Sequence, residues 1–399
     1  MRSSAALTAL SELSLAFRSR LPRPITGPVW PARGVSDSCR IPAVLRLGSP
    51  TYCHDVPGAM HVPTLSRRSF VLSASGLAAL TLAGCASGGD TPSSAGGGDG
   101  FPVTITHKLG TTTIEAEPTR VATVSAANQD VAIALGVVPV AMPFFDYGGD
   151  AEGVLPWVRD ALAGKPMPQV VGRSLEPIAF EAIAAAQPDL ILATYSGLTQ
   201  DEYDTLSRTA PVVAYPDAPY STSWQEQTRI AGRALARSTR AEELVVATQS
   251  RLAAATSEYP QLAGATFAYT GGMDGGQLGI FRPTDVRVRL LEDLGMTSAP
   301  FVEQNAPGGE AVYYTVSAEL VPRLQSDLLV GFFGTPDLDA AFRADPAVQE
   351  MPAVKAGGYA PIIGADRVAA SSSPSVLSIP WVLDAYLPVL AEAATRSRR

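Results

Sequence analysis

From residue 101 onward, short apolar runs alternate with longer segments whose apolar residues recur every three or four positions. The first pattern reads as buried strands, the second as amphipathic helices. Residues 120–124 form a β-branched run, and 129–135 a helical one that stops at Gly136, a residue suited to the left-handed turn after a helix. Further strands are expected at 137–141, 188–193 and 211–215, with helices at 176–186 and 201–208. Pro177 falls in the first turn of the former, where a missing N–H costs little. Residues 223–259 carry no strand signal; a break is expected near Ser238, with one long helix over 241–257. Past Pro260 strands are expected at 266–270, 277–281 and 327–333, and helices at 285–294, 317–324, 346–354 and 382–394. Strand–helix alternation implies parallel sheets covered on both faces. The predicted class is α/β: two lobes, each with a mostly parallel sheet flanked by helices, bridged by one long α-helix. The boundaries are 101–238 for the N-terminal lobe, 239–260 for the connecting helix and 261–399 for the C-terminal lobe. Ligands of such sheets sit outside the carboxyl ends of the strands, and a cleft between lobes adds to that.

The first hundred residues break the pattern. Ser66-Arg67-Arg68-Ser69 leads into an apolar run over 70–83, about 14 residues, too short for a bilayer core of about 30 Å but of signal-peptide length. It ends in Leu82-Ala83-Gly84-Cys85, which resembles a bacterial lipobox and implies a lipidated Cys85 as the first mature residue. Arg67-Arg68 also resembles a twin-arginine export signal, with the general secretory route as the alternative. A buried helix ending at a free cysteine is the plainer reading of the same run. Residues 60–84 are therefore expected to be a lipoprotein signal peptide, and 85–100, rich in Gly, Ser, Thr and Pro, a tether. Residues 1–59 are Arg-rich with scattered Pro and no period; they read as a non-native or disordered extension, with Met60 competing with Met1 as the start. Several acyl chains on Cys85 would hold the body firmly at a membrane, where one chain would not.

Composition narrows the function classes. A hydrophobic content of 46% over 399 residues excludes a wholly disordered chain. Cys39 and Cys53 lie ahead of the expected mature start, so Cys85 is alone and no internal disulfide forms. Residues 1–84 carry a net charge of +6 and residues 85–399 one of -14. An acidic body without clustered Lys/Arg makes nucleic-acid binding unexpected. His107 is the one histidine of the expected mature chain, so a metal site built by the protein, or a triad using Ser371-Ser372-Ser373, lacks its ligands or base. Gly271-Gly272-Met273-Asp274-Gly275-Gly276 lacks the Lys-Ser/Thr of a phosphate-binding loop and reads as a turn between two strands. No enzyme activity and no cofactor are expected.

Several motifs carry a resemblance. Val171-Gly172-Arg173-Ser174-Leu175-Glu176-Pro177 followed by Glu181-Ala182-Ile183 and Gln187-Pro188-Asp189-Leu190-Ile191 is similar to the signature of ferric-siderophore and cobalamin substrate-binding lipoproteins of ABC importers, the class III periplasmic binding proteins. So are Leu291-Glu292-Asp293-Leu294-Gly295, Val316-Ser317-Ala318-Glu319-Leu320 and Met351-Pro352-Ala353-Val354-Lys355-Ala356-Gly357. The order and spacing of these pieces run from about Arg120 to Tyr386. The resemblance implies two lobes bridged by a long helix with limited hinge motion.

It also implies site residues. Glu181 and Glu319 are similar in position to the one surface acid on each lobe that meets an Arg of each permease subunit; the alternative is an ordinary exposed glutamate near a helix start. An anionic iron chelate needs cations and flat apolar surfaces, which Arg and aromatic residues supply. Arg173 and Tyr195 are the candidates in the first lobe, Arg173 standing three residues before Glu176 where relatives have two. Arg282 and Phe332 are the candidates in the second, with Trp224 and Arg367 added; a surface ion pair or core contact is the plainer reading of each. The expectation is an extracytoplasmic, monomeric receptor, lipid-anchored to the outer face of the bacterial cytoplasmic membrane. It would capture an Fe(III)-siderophore and deliver it to an ABC importer permease dimer. Cobalamin or haem capture on the same fold, and a cell-surface interaction lipoprotein without a small ligand, are the alternatives.

Overall fold

The computed structural model describes residues 100–174, 177–308 and 311–399. The extension, signal peptide, Cys85 and nearly all of the tether lie outside the described residues, as does Glu176. The described chain begins with a hairpin, β1 (Val103–His107) and β2 (Gly110–Ile114), absent from the sequence reading. Its alternating Thr and Ile place Ile105 and Ile114 on one buried face. His107 is buried there, its Nε2 2.9 Å from Thr112 Oγ1 and its ring edge-on to Tyr203: a core histidine.

The first lobe then runs β3 (Val121–Thr123), α1 (Asn128–Ala134), β4 (Ala141–Phe144), α2 (Pro156–Ala161), β5 (Gln169–Arg173), α3 (Phe180–Ala185), β6 (Leu190–Ala193), α4 (Gln200–Leu206) and β7 (Val212–Ala214). The sheet order is β5-β4-β3-β6-β7, all parallel. Both faces are covered, which is why Leu190 to Ala193 read as a continuous apolar run. Val121, Leu190 and Leu192 pack on one side, Ala122, Ile191 and Ala193 on the other. The order reverses between β3 and β6, so a switch point opens at their carboxyl ends.

Helix α5 (Trp224–Ala234) returns across the first lobe and gives way to α6 (Ser238–Glu258) after a left-handed Ala236. At their corner a Cβ on Gly232 would collide with the Cβ of Ala241, so glycine is what lets the helices cross closely. Helix α6 bridges the lobes: Ala241 belongs to the first core, whereas Val245, Leu252 and Ala255 pack with the second sheet.

The second lobe contains β8 (Thr266–Asp274), β9 (Gln277–Phe281), α7 (Val286–Asp293), β10 (Thr297–Ser298), α8 (Pro300–Gln304), β11 (Tyr313–Ser317), β12 (Leu328–Phe333), α9 (Pro336–Ala344), α10 (Pro346–Gln349), α11 (Pro352–Lys355), β13 (Tyr359–Ile363), α12 (Ala365–Ser372) and α13 (Ser378–Ser397). Its order is β11-β9-β8-β12-β13, with β10 on β8. The pairs of β12 with β8 and β13 are parallel, whereas β8, β9 and β11 pair antiparallel. The glycine-rich segment is the β8–β9 turn, with Gly275 and Gly276 at positive φ. One apolar core runs through both lobes: Ile133, Met142, Phe145 and Trp157 belong to the same cluster as Val376, Ile379, Val382 and Tyr386. Trp157 and Trp381 meet at a ring separation of 5.3 Å. Burying side chains of this size contributes about 1.5–3 kcal/mol each.

Four expected elements differ. The strand expected at 137–141 begins only at Ala141, after Pro139, which has no N–H for a ladder. The helix expected at 176–186 is confined to Phe180–Ala185, and Pro177 lies before it: Gly172 at φ +61 turns the chain so that Ala179 packs on it. The helix expected at 317–324 is the end of β11, where Val316 and Ser317 pair with Leu278 and Gln277, then a turn and a 3-10 helix at Val321–Arg323. Glu319 is therefore on a turn. The helix expected at 346–354 is split into α10 and α11, because Pro352 cannot donate to the preceding turn.

Candidate functional site

The switch point of the first sheet is held by one side chain. Asn128, at the start of α1, donates from Nδ2 to the carbonyls of Val124 (2.8 Å) and Tyr195 (3.2 Å), and accepts at Oδ1 from the backbone N–H and hydroxyl of Thr194, both at 2.8 Å. The loops after β3 and β6 are thereby joined, and Tyr195 is fixed at the carboxyl end of the sheet. Its buried hydroxyl donates to the Ser372 carbonyl of the second lobe at 3.1 Å, and its ring meets Tyr220 edge-on. Burial pushes this phenol well above its ordinary range, so it stays a neutral donor.

Two further contacts bring the carboxyl ends of the sheets together. Tyr147, after β4, lies against Gly334, after β12; a Cβ there would sit 2.8 Å from the Tyr147 hydroxyl. Burial, then Tyr269 and Asp366, push that phenol up to about 12. Gly148 lies against Ala365 and Ala369 of α12. Beside these contacts each lobe presents an arginine stacked on a ring. In the first lobe the Arg173 guanidinium lies 5.1 Å from the Phe144 ring centre and pairs with Asp146. In the second, Arg287 lies 4.4 Å from the Phe281 ring centre and 5.9 Å from that of Phe332, and pairs with Asp285 at 2.7 Å. Tyr269 completes this aromatic group, 5.8 Å from Phe281 and 6.0 Å from Phe332.

Arg287 is held from its own helix. Asp285 caps α7 by accepting the Arg287 backbone N–H at 2.8 Å while its other oxygen takes Nη1. Burial pushes the Asp285 carboxyl up and the neighbouring guanidinium opposes it. Arg287 Nε is buried and finds no hydrogen-bond partner among the described residues. An unpartnered guanidinium donor beside a wall of rings is suited to an acceptor oxygen carried by an apolar ligand.

The sequence candidates separate on this geometry. Arg173, Tyr195 and Phe332 join the facing strand ends. Arg282 does not face the same way: it donates to the Pro307 carbonyl and lies 5.6 Å from the ring of Tyr314, which belongs to the core on the opposite side of the second sheet. Phe333 is on that opposite side as well, packed on Phe342. Trp224 is buried between lobes, its indole N–H on Asp293 at 3.0 Å. It borders a groove of about 420 Å³ shared with Arg229, Arg289 and Glu292. Arg367 is exposed on the first turn of α12. Sequence reasoning missed Arg287, although a cation in the stripe Val286, Val288, Leu290 and Leu291, two residues after a capping Asp, was a visible signal.

It also missed Asp130. This carboxylate on α1 is buried between the lobes and accepts from Trp157 Nε1 (2.6 Å), Gln129 Nε2 (2.8 Å) and, across the lobes, Ser375 Oγ (2.7 Å). Glu181 is exposed in the first turn of α3, and Glu319 is exposed on the turn after β11. Among the described residues no group of three or more His, Cys, Asp or Glu is placed to hold a metal ion, and no helix is long and apolar enough to cross a membrane.

Comparison with known proteins agrees with this architecture. Residues 121–358 match the family described as periplasmic binding protein. The chain is 28% identical over 271 residues, 64% of its own length and 82% of the relative's, to the ferric enterobactin-binding periplasmic protein FepB of Escherichia coli O6:H1. A shorter stretch of 113 residues is 36% identical to the Fe(3+) dicitrate-binding periplasmic protein FecB of Escherichia coli K12, covering 28% of this chain and 35% of that protein. Among solved structures, PiaA of Streptococcus pneumoniae in complex with ferrichrome superimposes with a TM-score of 0.68 at 31% identity, covering 73% of this chain and 99% of that one. With the family match spanning more than half of its length and the two-lobed fold in place, the chain belongs to the periplasmic binding protein family.

Proposed function

We propose that this protein is the extracytoplasmic receptor of an ABC importer and captures a ferric siderophore between its lobes. The observation that carries the reading is the pair of ring-stacked arginines, Arg173 on Phe144 and Arg287 on Phe281, one from each lobe beside the facing strand ends. A chelate bound there would place its oxygens on guanidinium donors and its carbon skeleton on Phe144, Phe281 and Phe332. The relatives named for ferric enterobactin and Fe(3+) dicitrate, and the neighbour solved with ferrichrome, support iron chelates as the ligand class. The iron arrives wrapped by its chelator, so the protein supplies no ligands to the metal. Its part is reversible capture and handover.

Handover uses the two exposed acids. Glu181 on the first lobe and Glu319 on the second would each meet a cation on one half of a two-fold symmetric permease, which fixes register and orientation. The lipobox-like Leu82-Ala83-Gly84-Cys85 would tether the body to the outer face of the cytoplasmic membrane. Division into lobes at 101–238 and 261–399, joined by 239–260, is the working description of the two halves that hold the ligand.

The test is a tryptophan-fluorescence titration of the purified protein with ferric hydroxamate, ferric catecholate, ferric citrate, haemin and cobalamin. Saturable quenching by a ferric chelate, absent with its iron-free form, is the expected result. Saturation by haemin or cobalamin alone would assign the cleft to those ligands. No saturation by any of them would overturn the receptor reading.

A further inference from the structure

We propose that the cleft selects ferric chelates of zero or near-zero net charge, of the trishydroxamate type, over trianionic triscatecholates. The inference rests on the cleft being the ligand site, and deepens that reading by naming the chelate class.

The charge of the cleft arginines is already balanced within the protein. Arg173 is the ring-stacked cation that the first lobe presents at the facing strand ends, and Asp146 of the same lobe is in contact with it. Arg287 is the ring-stacked cation of the second, and Asp285, two residues before it, takes both its Nη1 and its backbone N–H. The Asp285 side chain is 3% exposed and that of Arg287 16%, so this pair is sheltered from the salt and water that would screen it. Asp366 and Arg367, one of each sign, follow on the first turn of α12. Arg282 is turned to the other side of the sheet, onto Tyr314 and the Pro307 carbonyl. The ring-stacked arginine of each lobe is therefore matched with a carboxylate of its own lobe.

A trianion entering such a site gives up its hydration and meets guanidinium groups whose charge is already balanced by the protein's own acids. The same acids repel it. An uncharged chelate loses no such hydration. Its hydroxamate and carbonyl oxygens need hydrogen-bond donors rather than countercharge, and the guanidinium planes keep donors even when their charge is neutralised. The Arg287 side chain keeps 16% of its surface exposed, so part of its guanidinium is open to such an oxygen. The rings of Phe144, Phe281 and Phe332 suit the aliphatic arms of a hydroxamate chelate.

The experiment is a titration of the purified full chain with ferrichrome, which is uncharged, and with ferric enterobactin, a trianion, at low and moderate salt. The same is done with Asp146→Asn, an exposed position that leaves the core intact, and with Asp285→Asn. We expect ferrichrome to bind at least about 100-fold tighter than ferric enterobactin, with little salt dependence. Removing either carboxylate should narrow that ratio by about tenfold, through a gain in trianion affinity. Tighter binding of ferric enterobactin by the wild-type protein would overturn the selectivity and leave the receptor reading standing. So would a ratio unmoved in both variants. Binding of neither chelate, nor of ferric citrate, would overturn the receptor reading and this inference together.

Discussion

Asp130 and Arg287 show what single buried charges do in this molecule. Burial pushes the Asp130 carboxyl up to about 6, against hydrogen bonds from Ser375, Trp157 and Gln129 that pull it down. A carboxyl raised above its unfolded value means that the folded state holds the proton more tightly. Folding then takes up a proton between about pH 4 and pH 6, and this group's stabilising effect is lost as pH rises through that window, by roughly 3 kcal/mol for a shift of about two units. Asp130→Asn should remove that slope. Urea unfolding at about pH 4 and about pH 7 checks it, and an unchanged slope in the variant would assign the effect to other groups. Arg287→Ala or Arg173→Ala should weaken binding of a ferric chelate by about 1.5–3 kcal/mol, the range for hydrogen bonds to charged groups. Arg282→Ala should cost less, because that guanidinium is committed to Tyr314 and Pro307. Titration of the three variants ranks them directly. Equal losses for Arg282 and Arg287 would contradict the assignment of opposite sheet faces.

Elements carry the next level of the argument, and they mark where the sequence was legible. Strand β9 was readable to the residue and α6 nearly so, because their periodicity is set by burial; of α5 only the lack of a strand signal and the break near Ser238 were legible. The segment at 317–324 was not: its Ala-Glu-Leu composition favours helix, but pairing of Tyr313–Ser317 with β9 overrides it. Arg282 likewise stands at a strand end. Which face of the sheet it takes depends on the register of β9 against β8 and β11, which no local pattern discloses. Phe332 and Phe333 illustrate the same limit, since neighbours on a strand point to opposite sides and one residue of register exchanges them. The α5–α6 corner supplies a stability test. Gly232→Ala puts a methyl group onto the Ala241 side chain, and overpacking of this kind costs about 1–3 kcal/mol. A melting curve unchanged by the substitution would mean that the helices part without loss. On the surface, Glu181→Ala combined with Glu319→Ala should abolish iron uptake by cells while leaving chelate affinity intact. Lost affinity in the double variant would count against a docking role.

At the scale of the molecule, the two lobes are joined by more than α6. Their shared core, the Trp157–Trp381 contact, and the polar ties Tyr195 to Ser372 and Asp130 to Ser375 run across the division between sheets. An apolar interface of this kind resists opening, because separating it would return large side chains to water. Ligand capture should therefore proceed with little rigid-body closure, and small-angle scattering of the ligand-free and ligand-saturated protein should give the same radius of gyration. A marked contraction on binding would show that the interface opens in solution. The acidic body, net -14 over residues 85–399, agrees with a partner that presents cations to it and with a ligand that is not strongly anionic.

The most direct test of the account is the position of the iron. Crystals grown with a ferric trishydroxamate would give an anomalous iron signal independent of how the organic part is built. The account predicts one strong peak between the lobes, with Phe144 and Arg173 on one side and Phe281, Arg287 and Phe332 on the other. An iron peak in the groove bordered by Trp224 and Arg289, on the outer surface, or nowhere in crystals of a protein saturated in solution, would contradict it.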